Sequence, residues 1–209
     1  MRHIAARGLR SISGATIIAV VGAECTGKST LVQALGARLR RDGRDVALVP
    51  EALRGFCERH GRTPFANEQA QIAQAQTEAI ACAAAGHELV IADTTALVTA
   101  AYSNLVFDDN SLDAGAMADH RRCLLTLLCG LDLPWVADGH QRSGVDSRAP
   151  LDAWLRQAMQ RAGLAYSVLY GPGDVRMQRA LAAIDRVERQ PRADGSAWRW
   201  SCRHCSEVD

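Results

Sequence analysis

The sequence predicts an α/β fold: a five-stranded parallel sheet with helices on both faces, followed by a C-terminal tail. Three observations predict it. Short β-branched apolar runs alternate with longer segments of helical spacing. A glycine-rich turn joins the first such run to the first helical segment. Acidic residues, Glu51 and Asp93, follow the second and third runs. Strands that alternate with helices imply right-handed crossovers and a ligand crevice beyond the carboxyl ends of the strands.

The elements follow in order. Thr16 to Val21 (TIIAVV) reads as a buried strand stopped by Gly22. Lys28 to Arg41 carries Leu31, Leu35 and Leu39 at helical spacing and stops before Asp42-Gly43. Asp45 to Val49 is the second strand. Ala66 to Ala85, rich in Ala and Gln without Gly or Pro, is a helix by propensity and closes at Gly86. Glu88 to Ala92 is the third strand and Thr95 to Asn104 a helix. Asp108 to Asp113 is an acidic loop, Ala114 to Arg122 a helix, and Leu124 to Leu128 the fourth strand. Leu151 to Ala162 is a helix, Tyr166 to Leu169 the fifth strand, and Asp174 to Glu188 the closing helix. The expected organisation is a flexible tail over 1–14, one domain over 15–190 and a tail over 191–209.

Composition narrows the function. Of 209 residues 48% are hydrophobic and 22% charged, the balance of a globular chain rather than a disordered one. No apolar run approaches the ~18 residues of a membrane span, and no secretory signal is evident, so no membrane partner is expected. A net charge of +1 lacks the basic excess of a nucleic-acid binder. Seven cysteines, five of them scattered among apolar residues, read as free thiols of a reducing cytoplasm. In the tail, Cys202 and Cys205 with His204 make an incomplete zinc set. Lys plus Arg is 24, yet Lys28 is the only lysine. A lone compact ammonium among arginines marks a place where a planar fork does not serve.

That place is a phosphate-binding motif. Gly22-Ala23-Glu24-Cys25-Thr26-Gly27-Lys28-Ser29 fits G-x-x-x-x-G-K-[ST] between a strand and a helix. Its glycines let backbone N–H groups turn inward on phosphate oxygens, and the helix adds the positive end of its dipole. Lys28 reaches the β- and γ-phosphates of ATP, and the Ser29 hydroxyl holds Mg²⁺. The expected nucleotide-binding set is Gly22, Glu24, Cys25, Thr26, Gly27, Lys28, Ser29 and Thr30 of this motif, with Arg148 from further along the chain. Thr30 is included by position and needs no chemical role of its own.

Glu51 and Asp93, at the carboxyl edge, are expected near the phosphates. Asp93 can hold Mg²⁺ or take a proton from an acceptor hydroxyl, and Glu51 can do the second. Arg54, one helical turn on, can orient Glu51 or bind acceptor oxygens. A lid is expected around 133–150. Its arginines, Arg142 and Arg148, would neutralise charge on the transferring phosphoryl group, and its closure would exclude water. Trp135 offers a flat face to a ring and Asp138 an acceptor for ribose hydroxyls; a packed indole and a surface turn at Asp138-Gly139 explain the same residues. His140 reads as a loop residue.

With GAECTGKSTL, Glu51-x-x-Arg54, IADTT and LPWVADG followed by Arg142, the chain resembles the ribosylnicotinamide kinase domain of the bacterial NadR family, from about Ile17 to Ile184. The resemblance implies transfer of the ATP γ-phosphate to the 5′-hydroxyl of nicotinamide riboside, with Trp135 and Asp138 holding the acceptor. The H-x-G-H motif of the fused nucleotidyltransferase domain does not occur, so adenylyl transfer is not expected, nor is a repressor role. A kinase for another nucleoside or small alcohol, and a regulatory P-loop ATPase, are the alternatives. Oligomeric state is left open.

Overall fold

The computed structural model describes residues 15–135 and 145–189. Five strands form one sheet: β1 (Thr16–Val21), β2 (Val46–Val49), β3 (Leu89–Asp93), β4 (Leu125–Cys129) and β5 (Ser167–Leu169). Their order is β2-β3-β1-β4-β5, and every pairing is parallel. Seven α-helices connect and cover them: α1 (Lys28–Arg41), α2 (Ala52–His60), α3 (Gln69–Gly86), α4 (Ala96–Phe107), α5 (Asp113–His120), α6 (Arg148–Arg161) and α7 (Gly173–Arg189). The expected fold class is the observed one.

Alternation along β1 builds the core on both faces. Ile18 and Val20 meet Leu31, Leu35 and Leu39 of α1 and Ala180 and Ile184 of α7. Ala19 and Val21 meet Leu97 and Ala101 of α4 and Leu151, Leu155 and Met159 of α6. Close approach is built in on the α1 face, where a Cβ on Gly36 would lie 2.6 Å from a Leu48 methyl. α4 is buried from Ala96 through Ser103, which explains why it is apolar on every side. No helix among the described residues is long and apolar enough to cross a membrane.

The differences from expectation are local. α2 is a helix the sequence pattern left unassigned, although Leu53, Phe56 and Cys57 are spaced as one buried stripe. The helix expected from Ala66 begins with a 3₁₀ turn, Ala66–Glu68, before α3 proper. There the Glu68 carboxylate accepts the Phe65 N–H at 2.7 Å and grips Arg62 through two bonds of 2.7 Å. α6 begins at Arg148 rather than Leu151, so positions 148–150 of the expected lid are helix. The expected tails, 1–14 and 191–209 with Cys202 and Cys205, lie outside the described residues.

Candidate active site

β1 runs straight into the cradle, because Gly22 at φ 141° turns the chain where an L side chain would be strained. A Cβ there would also sit 2.8 Å from the Cys129 carbonyl oxygen on neighbouring β4. Gly27, at φ 76° and ψ 21°, caps α1 in the left-handed region. No side chain caps this 14-residue helix and no acid stands in its first turn. Its leading N–H groups and its dipole therefore present an anion site. The Lys28 ammonium lies over the loop and donates to the Ala23 carbonyl at 2.8 Å, and the Thr26 hydroxyl donates to the same oxygen at 2.8 Å. Glu24 is tethered by the Tyr102 hydroxyl of α4 at 3.1 Å. Cys25, at φ 52°, is half-buried and Thr30 is exposed.

Behind the cradle a buried arginine fixes its shape. Arg176, in the first turns of α7, is 3% exposed. It donates to the Thr26 carbonyl, to the Gly171 carbonyl at 2.9 Å and to the Asp132 carboxylate at 2.6 Å. Asp132 also accepts the Gly171 N–H at 2.6 Å. The loops after β4 and β5 are thus pinned to the back of the phosphate loop.

Parallel pairing brings the two acids to the same edge. Val20 is in register with Asp93, so the end of β3 flanks the start of the cradle. Asp93 is 5% exposed, and its Oδ1 is buried with no hydrogen-bond partner. Burial raises its carboxyl above the ordinary range, and the nearby Glu51 charge pushes the same way; the Ser29 hydroxyl and the Lys28 ammonium oppose them. Glu51 is 8% exposed and occupies the N-cap position of α2, yet its side chain makes no cap bond. Instead it pairs with Arg54 at 3.8 Å.

From these acids a cleft of about 950 Å³ runs outward between α2 and α3. Ser29, Glu51, Arg54 and Asp93 line its inner end, and Phe56, Arg59 and His60 line its wall. The Phe56 and His60 rings stack with centroids 4.1 Å apart. A cleft of this size suits a small organic molecule reaching the phosphates from the side.

The Mg²⁺ implied by the motif fits these residues. A buried carboxylate oxygen without a donor, next to a serine hydroxyl at an anion site, is a hard-oxygen donor pair for an ion that keeps most of its waters. No group of three or more His, Cys, Asp or Glu that could hold a metal occurs among the described residues.

The structure therefore brings together Lys28, Ser29, Glu51, Arg54 and Asp93. Arg148 is the first residue of α6, 8% exposed, not a swinging lid arginine. It donates to the Leu133 carbonyl at 3.0 Å, while its Nε is buried without a partner. Trp135 is half-buried, its indole N–H has no acceptor, and it is not among the residues lining the cleft. Asp138, His140 and Arg142 lie outside the described residues. Sequence reasoning missed Arg176, Gln76 of α3 and His120 of α5. His120 is 1% exposed and bridges Thr95 and Thr126 through both ring nitrogens at 2.9 Å. Gln76 falls on the buried face of Gln69, Ile72 and Ala73, but nothing local set it apart from the other glutamines of this Ala/Gln-rich helix.

Comparison with known proteins agrees with this geometry. A family profile described as AAA domain matches residues 17–177. No match was found among curated protein sequences. A crystal structure of NadR protein in complex with NR superposes with a TM-score of 0.70 at 22% identity, covering 83% of this chain and 51% of that one. One of NadR protein in complex with NAD and AMP-PNP gives 0.67 at 21%, covering 83% and 49%. Thymidylate kinase from Ehrlichia chaffeensis gives 0.56 at 14%, covering 83% and 99%. The chain spans about half the length of the two NadR chains and shares the fold of all three. With the profile covering most of its length and the phosphate loop in the required place, the chain belongs to the AAA-domain family of P-loop proteins.

Proposed function

We propose that the chain is an ATP-dependent small-molecule kinase that phosphorylates the 5′-hydroxyl of nicotinamide riboside to give the mononucleotide. One observation carries the choice of a hydroxyl acceptor. Two buried acids, Glu51 and Asp93, stand at the inner end of the cleft beside Ser29 of the cradle. An acceptor phosphate would meet two negative charges there, whereas an alcohol needs a nearby carboxylate to take its proton. NadR's bound NR supports the riboside as acceptor.

In this reading Lys28 and the N-terminus of α1 hold the β- and γ-phosphates. Ser29 and Asp93 hold Mg²⁺, which would neutralise phosphate charge. Glu51, kept in place by Arg54, accepts the hydroxyl proton as the new O–P bond forms and the bond from the γ-phosphorus to the bridging oxygen breaks, releasing ADP. Arg142 is assigned to the charge on the phosphoryl oxygens. Trp135 and Asp138 are assigned to the acceptor's ring and ribose by the resemblance to NadR.

The test is ADP release with ATP and Mg²⁺, with nicotinamide riboside, with other nucleosides, with thymidylate, and with no acceptor. The riboside should stimulate release strongly and yield the mononucleotide. Stimulation by thymidylate alone, or hydrolysis indifferent to every acceptor, would overturn the proposal.

A further inference from the structure

Gln76 sits midway along α3, 1% exposed, with an uncharged side chain that the chemistry above does not use. Its amide is fully engaged. Oε1 accepts the Ala52 N–H at 2.7 Å, and Nε2 donates to the Pro50 carbonyl and to the Thr94 carbonyl, each at 3.4 Å. Pro50 and Ala52 flank Glu51, and Thr94 follows Asp93. One side chain therefore ties the turn after β2 to the turn after β3.

Both turns need such a tie. Thr94 stands at φ 71°, a region that a β-branched residue occupies only when its surroundings impose it. That conformation turns the chain out of β3 directly after Asp93. Its own N–H is held by the Val20 carbonyl of β1 at 3.0 Å, and its carbonyl is held by Gln76. On the other side, the Ala52 N–H is a first-turn donor that α2 cannot satisfy internally and that Glu51 does not cap. Gln76 satisfies it, and the Glu51 carboxylate lines the inner end of the cleft.

We propose that Gln76 is a positioning residue that fixes the Glu51 and Asp93 carboxylates relative to each other and to the cradle. The inference rests on the kinase reading for its kinetic consequence and on the hydrogen bonds alone for its geometric one. Gln76 touches no reacting atom; it acts through the two backbone turns.

The experiment compares the full chain with Gln76→Met, which keeps length and removes all three bonds, and Gln76→Glu, which keeps an acceptor for the Ala52 N–H but puts an oxygen against the two carbonyls. Both should lower kcat with nicotinamide riboside by about 10- to 100-fold, the scale of small misplacements at a reacting centre. KM for ATP should stay within about 3-fold, because the cradle does not depend on Gln76. A second readout is independent of turnover: amide hydrogen exchange by NMR, in which the Ala52 N–H, stripped of its acceptor, and the Thr94 N–H, in the turn whose carbonyl is released, should both exchange about 10-fold faster in Gln76→Met. Unchanged kcat, or losses confined to KM for ATP, would overturn the inference, as would unchanged exchange at Thr94. If Gln76→Met does not fold, Gln76→Glu decides on kcat and Thr94 exchange. If the unaltered chain phosphorylates no nucleoside, the kinase reading fails, and the exchange at Ala52 and Thr94 still decides the role of Gln76.

Discussion

Acidification should destabilise this fold before its hydrogen-bonded surface carboxylates are neutralised, and the cause is one imidazole. Burial lowers the His120 pKa from 6.5 to about 4, because the enclosed ring is shut off from water. The folded state thus keeps His120 neutral where the unfolded chain protonates it. Stability from this group is complete above pH 6.5 and is lost as pH falls from there toward 4. At about 1.4 kcal/mol per pKa unit the full loss is about 3 kcal/mol, of which about 2 has gone by pH 5. Asp45, Glu68, Asp109 and Asp132, all held below their ordinary range, add their losses only at lower pH. Urea denaturation at pH 7, 6 and 5 measures the effect, with His120→Gln as the variant that can still bridge two hydroxyls but does not titrate. The unaltered chain should lose about 2 kcal/mol more than the variant over this span. Parallel curves for the two proteins would refute the reasoning.

Three further predictions concern the site. Lys28→Ala should cost several kcal/mol of transition-state stabilisation, and Lys28→Arg should restore little of it, since a planar fork does not replace a compact ammonium; steady-state kcat/KM measures both. Asp93→Asn should abolish transfer while raising Tm by about 2–4 °C, because it removes a buried charge that burial disfavours; a fall of several degrees would show that the carboxylate is structural. Gly22→Ala should destabilise by about 2 kcal/mol or more and abolish nucleotide binding, since it meets the Cys129 carbonyl at 2.8 Å in a strained conformation; calorimetric melting with and without ATP reads both effects.

Much of this was legible in the sequence because local chemistry dictated it. The cradle's glycines and lysine announce themselves, and the alternation of Ile18 and Val20 with Ala19 and Val21 predicts a sheet covered on both faces. The acids at the strand ends were legible because parallel pairing gathers strand ends to one edge. What stayed hidden depends on contacts between distant segments. α2 follows Pro50, carries Gly55 in its interior and is only 9 residues long, so propensity argued against it while packing of Leu53 and Phe56 made it. Gln76 looked like one more polar residue in an Ala/Gln-rich helix until the fold set it against two loops. Arg176 lies 150 positions from the Thr26 carbonyl it holds, a separation no local pattern spans. The cleft was missed for the same reason: α2 follows Glu51 directly, but α3 and Asp93 are brought opposite it only by the fold.

The single lysine has a consequence for covalent chemistry. Every other side-chain cation of the chain is a guanidinium or an imidazole, so acylating, carbamylating and aldehyde reagents find one side-chain amine, and it lies over the phosphate loop. Occupancy of that loop and derivatisation of Lys28 should therefore exclude each other. A mild amine-directed label, followed by mass spectrometry of one peptide, becomes a direct gauge of nucleotide occupancy with no substitution needed.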